Sequence, residues 1–258
     1  MFKKKKFLFS IITVVLNNKK TIKRCIQSVL SQKFKNFEYI IIDGGSKDGT
    51  LEIIKEYKNK GINKIISKKD KSMWSAMNKG IKISNGEIIC MLNSDDYFTE
   101  NALAIVAKYF RKYDLDYFFG AVKKRKVFHN FNPEFIDYKF NCYPSHSISF
   151  FVKKKIHKKI GLYNDNFQIC ADYDFILKLV NKKIAYTCSK PNEVFGRFAK
   201  GGLSSKINIF KKIYYESKVR ISNNQNFIFV ILLGVLHFFN FIRNRLLLFF
   251  GIKKSLNW

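Results

Sequence analysis

Asn93-Ser94-Asp95-Asp96 is the stretch whose residue types most directly suggest chemistry. It ends the apolar run Ile88-Ile89-Cys90-Met91-Leu92, which reads as a short buried strand between turn signals. Two adjacent carboxylates there are acceptor-only groups at the carboxyl edge of a sheet, where open α/β sheets bind ligands. Their like charges repel unless a cation joins them. The alternative is a solvated loop in which Asp95 and Asp96 cap the next helix. A second pair, Asp172 and Asp174, falls in the first turn of a helix predicted over 171–181, where the helix dipole favours carboxylates.

Hydrophobic spacing supplies the elements that must position these groups. The continuous β-branched run from Ser10 to Leu16 predicts a strand buried on both faces. Apolar residues at Ile22, Cys25, Ile26, Val29 and Leu30 predict an amphipathic helix over 21–32, with Thr21 as its N-cap. Strands are expected at 37–42, 62–67 and 88–92, and helices at about 50–59 and around Met73, Ala76, Met77, Gly80 and Ile81. This alternation argues for a parallel sheet covered on both faces, an α/β unit of nucleotide-binding type. Its functional loops are then Asn17-Asn18, Asp43 to Ser46, Lys68 to Lys71 and Asn93 to Asp96.

The second half is less regular. A helix over 100–112 and a strand over 117–122 precede the basic run Lys123 to Lys126 and a Phe-rich stretch to Ser145; a strand over 147–152 and a short helix over 153–160 follow. Near the end, 207–222 has a helical pattern with interleaved Lys and Arg. Residues 227–242 are apolar apart from Gly234, His237 and Asn240, and lead into Arg243-Asn244-Arg245. A spanning helix needs about 20 apolar residues. This run is shorter and interrupted, so helices lying in the membrane interface are expected, with Arg243, Arg245, Lys253 and Lys254 near anionic headgroups. A single span, or a hairpin packed on the protein's own core, are the alternatives.

The 258 residues can bury a sizeable core, and 47% hydrophobic content excludes general disorder. Forty-eight Lys and Arg against 19 Asp and Glu give a net charge of +29, which attracts polyanions: nucleic acid, an anionic membrane surface or phosphorylated substrates. A biased source genome also fits the Lys, Ile, Asn and Phe richness. Five Cys (25, 90, 142, 170 and 188) form no Cys-x-x-Cys pair and no His sits at zinc-ligand spacing, which points to a reducing compartment without a structural metal cage. Lys3 to Lys6 before Phe7 to Leu16 imitates a signal peptide. Asn17-Asn18-Lys19-Lys20 follows in place of a small-residue cleavage site, so a first strand is expected instead.

Taken in order, the strand-end loops resemble glycosyltransferase family 2, nucleotide-sugar-dependent enzymes of the GT-A fold. The resemblance covers roughly residues 8 to 204 and rests on Ser10-Ile-Ile-Thr-Val-Val-Leu-Asn17, Ile41-Ile-Asp-Gly-Gly-Ser-Lys-Asp-Gly-Thr50, Lys69-Asp-Lys-Ser-Met-Trp-Ser-Ala-Met-Asn-Lys-Gly80, Asn93-Ser-Asp-Asp96 and Ala171-Asp-Tyr-Asp174. It is strongest to bacterial enzymes that build surface polysaccharides. It implies a Rossmann-like, mostly parallel α/β sheet flanked by helices over 1–205, with a nucleotide-binding half (about 8–98) and an acceptor half (about 99–205). A helical, membrane-associated extension follows over 206–258.

The resemblance also implies roles. Asn17, Asp43, Asp70, Lys79, Asp95 and His146 would bind the nucleotide-sugar donor, Asp43 at the base NH of a uridine and Asp95 near the ribose. Asp96 matches the metal-binding carboxylate of the DXD motif and would reach the diphosphate through Mn2+ or Mg2+, hard ions suited to oxygen ligands. Asp172 would be the general base that deprotonates the acceptor hydroxyl for a direct, inverting displacement. Phe198-Ala-Lys-Gly-Gly-Leu-Ser204 resembles a loop that folds over the donor. Departures from the family pattern are Ala171 for the usual Glu, Gly44 for a second Asp, Leu16 for a base-stacking aromatic, and Met73-Trp74-Ser75 for Ile-Tyr-Asp. No Gln-x-x-Arg-Trp motif of processive synthases is present, so one sugar per binding event is expected.

The leading expectation is therefore a non-processive glycosyltransferase acting on a lipid-linked or surface-glycan acceptor, in the cytoplasm and peripheral on the inner face of the cell membrane. Nucleic acid is not an expected partner, because no recognition-helix or aromatic-platform motif accompanies the charge. A basic nucleic-acid-binding protein and a catalytically silent GT-A scaffold are the competing readings.

Overall fold

The computed structural model describes residues 7–124, 126–129, 131–138, 147–198 and 207–250. β1 (Phe9–Val15), α1 (Lys19–Leu30), β2 (Phe37–Asp43), α2 (Thr50–Glu56), β3 (Lys64–Ser67), α3 (Met73–Ile83) and β4 (Ile88–Met91) alternate as the spacing requires. They are followed by β5 (Tyr97–Phe98), α4 (Ala102–Lys112), β6 (Tyr117–Phe119), β7 (Ala121–Lys123), β8 (Val127–Phe128), β9 (Phe150–Lys153) and α5 (Lys154–Ile160). Then come α6 (Ala171–Asn181), β10 (Tyr186–Cys188), β11 (Val194–Arg197), α7 (Ile209–Ser222) and α8 (Phe227–Phe249).

Seven strands form the main sheet in the order β10-β6-β9-β4-β1-β2-β3. All are parallel except β9, which enters antiparallel between β4 and β6. Alternate residues of β1 feed two cores: Ile12 and Val14 face α3 and α6, while Ile11 and Val15 face α1 and α4. Covering both faces fits a parallel sheet whose strands are apolar throughout. A second sheet, β5-β11-β7-β8, lies beside the first.

Several expectations change. α1 begins at Lys19 with Asn18 at its N-cap, so Thr21 lies inside the helix, where its hydroxyl donates to Ser94 O instead of capping. The helix begun at Thr50 stops at Glu56, and a 3-10 turn over Lys58–Lys60 leads to Gly61 at φ 128°, a conformation that favours glycine. The single strand expected over 117–122 is two strands in two sheets, broken at Gly120. A Cβ there would lie 2.3 Å from Phe195 Cδ2, so only glycine lets the chain pass that ring and change sheets. Finally, the terminal apolar run is one continuous 23-residue helix, α8, that continues through Arg243 and Arg245.

α7 is docked rather than loose. Asn223 Nδ2 donates to Asp174 Oδ1 at 2.8 Å, and Val219 and Arg220 are buried against α6. α8 folds back along α7: Phe238 meets Phe210 at 5.4 Å, His237 Nδ1 lies 2.9 Å from Glu216 Oε2, and Val230 and Leu233 are buried. Its other face exposes Ile228, Leu232, Leu236, Phe239 and Leu246.

Candidate active site

The carboxyl ends of β1 and β2 are locked together through one serine. Asp43, wholly buried, accepts from Ser46 Oγ at 2.5 Å, Ser46 N at 3.1 Å, Gly45 N at 3.2 Å and Ser67 Oγ at 2.6 Å. Ser46 Oγ also receives Asn17 N at 2.8 Å, and Asn17 Oδ1 receives Lys47 N at 2.8 Å. A carboxylate has about four lone-pair sites, and four donors occupy those of Asp43. In this structure it organises the loop that follows β2. Leu16, 60% exposed at the end of β1, offers the apolar surface at that rim.

The 93–96 loop is held from below by α1. Asn18 Nδ2 donates to Ser94 Oγ and Thr21 Oγ1 to Ser94 O, both at 2.8 Å. Arg24 lies 4.3 Å over the Tyr97 ring and donates to Asp95 O at 3.1 Å. The Cys25 thiol, pushed up to about 12 by burial and so kept neutral, points at Asn93 O at 3.5 Å. Asp95 is partly exposed, whereas Asp96 is buried, with Ser147 Oγ 3.5 Å from its Oδ2. Asn93 Oδ1 is buried without a hydrogen-bond partner.

Beyond β3, Asp70 Oδ1 pairs with Lys79 Nζ at 2.7 Å, while Asp70 Oδ2 is buried and without a hydrogen-bond partner. α3 then reaches the segment that leads to Asp172. Ser72, its N-cap, donates to Asp165; Trp74 Nε1 donates to Gln168 O; Asn78 Nδ2 donates to Tyr163 O at 2.7 Å and Asn78 Oδ1 accepts from Tyr163 N at 3.0 Å. Gln168 sits at φ 43°, ψ −95°, a strained backbone of a kind that gathers at functional sites. Asp172 follows in the first turn of α6, 9% exposed and four residues after the Gln168 carbonyl that Trp74 of α3 holds. Ala171 is fully buried in the core, so no carboxylate stands in for the family's Glu there.

The carboxyl ends of β1 to β4 thus gather Asn17, Asp43, Asp70, Asp95 and Asp96, with Lys79 paired to Asp70, and α3 links them to the segment before Asp172. His146 and most of the 198–204 loop lie outside the described residues. Sequence reasoning passed over Ser46 and Asn78, although both stand inside the quoted motifs, and gave Trp74 no role. Among the described residues no cluster of three or more His, Cys, Asp or Glu could hold a metal alone. A buried carboxylate oxygen at the sheet edge nonetheless fits Mg2+ or Mn2+ chemistry, in which one or two carboxylates share the ion with substrate phosphates and water.

Comparison with known proteins gives the family and the fold. The family model described as Glycosyl transferase family 2 matches residues 10–175. A PGL/p-HBAD biosynthesis glycosyltransferase of Mycobacterium tuberculosis is 29% identical over 215 residues, covering 78% of this chain and 80% of that protein. Chondroitin synthase of Escherichia coli is 31% identical over 182 residues, 67% of this chain and 26% of the synthase. Among solved structures, S. aureus TarS 1-349 in complex with UDP-GlcNAc superposes with TM-score 0.67 at 18% identity, over 89% of this chain and 71% of that one. The chain is an enzyme of the GT-A fold and belongs to glycosyl transferase family 2.

Proposed function

We propose that this enzyme transfers a sugar from a nucleoside diphosphate donor, a UDP-sugar, to a hydroxyl of a lipid-linked or surface-glycan acceptor, with inversion, with a divalent metal and one sugar at a time. The observation that carries the reading is the pair Asp96 and Asp172, two buried carboxylates supplied by separate parts of the chain, the loop after β4 and the first turn of α6. Separate carboxylates permit separate tasks: Asp96 toward the diphosphate, Asp172 toward the acceptor hydroxyl as general base. A bound Mn2+ or Mg2+ would neutralise charge on the departing diphosphate. Asn17, Asp43, Asp70, Lys79, Asp95 and His146 would contact the donor, with Asp43 at the base and its loop held by Ser46.

Names of relatives support the donor and acceptor classes. An E. coli relative, 39% identical over 97 residues and 38% of this chain, is named a UDP-Glc:alpha-D-GlcNAc-diphosphoundecaprenol beta-1,3-glucosyltransferase. A mannosyltransferase from Pyrobaculum calidifontis, similar in fold at TM-score 0.63 and 13% identity, was solved with GDP-Man and Mn2+.

α8 supports attachment to the inner face of the membrane. Phe227–Leu247 has mean hydropathy 1.8 and is only 11% buried. At about 1.5 Å per residue it reaches roughly 32 Å, so length no longer argues against a span. Its partner does: α7 lies alongside and carries Lys211, Lys212, Glu216 and Lys218, which a spanning α8 would draw into hydrocarbon. An interfacial hairpin keeps those charges in water and the exposed face of α8 among acyl chains.

The test incubates the full chain with Mn2+ and a panel of nucleotide sugars, and measures nucleoside diphosphate release with and without a membrane lipid extract. Release with a UDP-sugar, abolished by EDTA and stimulated by lipid, is expected. Absence of both binding and release with every donor overturns the reading.

A further inference from the structure

The C-terminal hairpin reaches the catalytic helix through a buried cation. Arg220 of α7 is 2% exposed, and its hydrogen-bond partners are neutral: the carbonyl of Asp137 and Gln225 Oε1 at 3.0 Å, with its Nη2 lacking any. Burying a guanidinium on these terms is costly. What it touches explains the placement. Its guanidinium lies 5.3 Å over the ring of Tyr173, the residue after Asp172, and the Tyr173 hydroxyl donates to Ile136 O at 2.8 Å. One turn further along α7, Asn223 holds Asp174. α7 therefore grips two consecutive residues that follow Asp172.

α6 needs such a grip, because no side-chain hydrogen bond caps its first turn at Cys170 and the strained Gln168 lies just before it. The turn at 136–138 completes the frame. It binds Tyr173 through Ile136 O, Arg220 through Asp137 O and Gln225 through Asp137 Oδ1, while the Tyr138 ring meets Phe229 of α8 edge-on at 5.9 Å. The base helix and the apolar terminal helix thus share one small set of side chains.

We infer that Arg220 is a positioning residue for Asp172, and that the C-terminal hairpin is part of the catalytic assembly as well as an anchor; the inference rests on Asp172 being the general base. A base displaced by about 1 Å loses on the order of a hundredfold in rate, while the donor, held by loops on other strands, is bound as before.

The experiment measures kcat and donor KM of the full chain with Mn2+, UDP-glucose or UDP-N-acetylglucosamine, and undecaprenyl-diphosphate-linked N-acetylglucosamine or water as acceptor. Arg220→Gln is expected to lower kcat about 10- to 100-fold, with donor KM within about twofold and vesicle co-sedimentation unchanged. Added guanidinium should restore part of the loss in Arg220→Gln without stimulating the unaltered chain. Arg220→Lys should stay low, because an ammonium lacks the planar fork. In hydrogen exchange, amides of 171–175 should exchange at least about tenfold faster in Arg220→Gln, with β1 and β2 amides unchanged. Normal kcat in Arg220→Gln, beside an inactive Asp172→Asn, overturns the inference, as does unchanged exchange at 171–175. Turnover by Asp172→Asn, or none by the unaltered chain, counts instead against the reading on which it rests.

Discussion

Asn78 and Tyr163 hold each other by two hydrogen bonds, amide to main chain in both directions, at 2.7 and 3.0 Å. One side chain of α3 thereby serves the segment entering α6 as a neighbouring strand would. Asn78→Ala leaves both main-chain groups of Tyr163 without that partner, at a cost of about 1–3 kcal/mol. Calorimetry should show the lowered Tm, and transfer should fall further than UDP affinity. Equal loss of both would mean that α3 itself, rather than the segment it carries, has failed.

Ser46 joins the ends of β1 and β2. Ser46→Ala removes the hydroxyl that bonds Asp43 and receives Asn17 N, and should cost about 1–2 kcal/mol. With both loops loosened, titration calorimetry should show weaker UDP binding in the presence of Mn2+. Unaltered affinity would show that this interlock does not shape the donor pocket.

Asp96→Asn and Asp172→Asn should separate the two carboxylates. The first is expected to lose metal-dependent donor binding. The second should bind donor normally and lose transfer by about 10²–10⁴-fold, the range of a general base. Normal transfer by Asp172→Asn would place the base elsewhere.

Acid should weaken the protein through His157. Its ring is stacked 4.7 Å from Phe175 of α6, both nitrogens lack hydrogen-bond partners, and burial lowers its pKa to about 4. Between that value and the ordinary 6.5 the unfolded chain binds the extra proton, so stability rises with pH across this window and is complete above it. The span corresponds to roughly 3 kcal/mol. His157→Phe should flatten denaturant stability between pH 4 and about 6.5; an unchanged slope would refute the assignment.

The exposed apolar face of α8 predicts a variant that no longer binds vesicles. Leu236 and Phe239 are 56% and 61% exposed, so Leu236→Asp with Phe239→Asp should fold normally. Co-sedimentation with anionic vesicles should drop, while UDP-sugar hydrolysis in detergent persists. Full retention on vesicles would mean that another surface carries the attachment.

The order of strands and helices was legible because their apolar periods are clean: every residue of β1 is buried, and α1 buries Ile22, Cys25, Ile26 and Val29 as its spacing requires. Direction was not. Phe150–Lys153 reads the same either way, and its antiparallel place between β4 and β6 is a tertiary fact. Gly120 is visible in sequence, but the ring of Phe195 that gives it meaning arrives some 75 residues later. At the candidate site, motifs named Asp43, Asp96 and Asp172, yet the hydrogen bonds that Asp43 accepts come from Gly45, Ser46 and Ser67, whose positions follow from loop backbone. Arg220 and Asn223 belong to no motif, and only the docking of α7 reveals them.

β9 also sets a schedule for synthesis. β4 has its neighbour β1 early, but its other edge is covered only when Phe150–Lys153 has been made, about 60 residues later. At roughly 5–20 residues per second, the apolar edge Ile88–Met91 then stays open for about 3–12 s on the ribosome. An unsatisfied central edge invites pairing with other nascent chains. Aggregation during expression should therefore trace to this interval, and to the chaperones present in it, rather than to the stability of the finished enzyme.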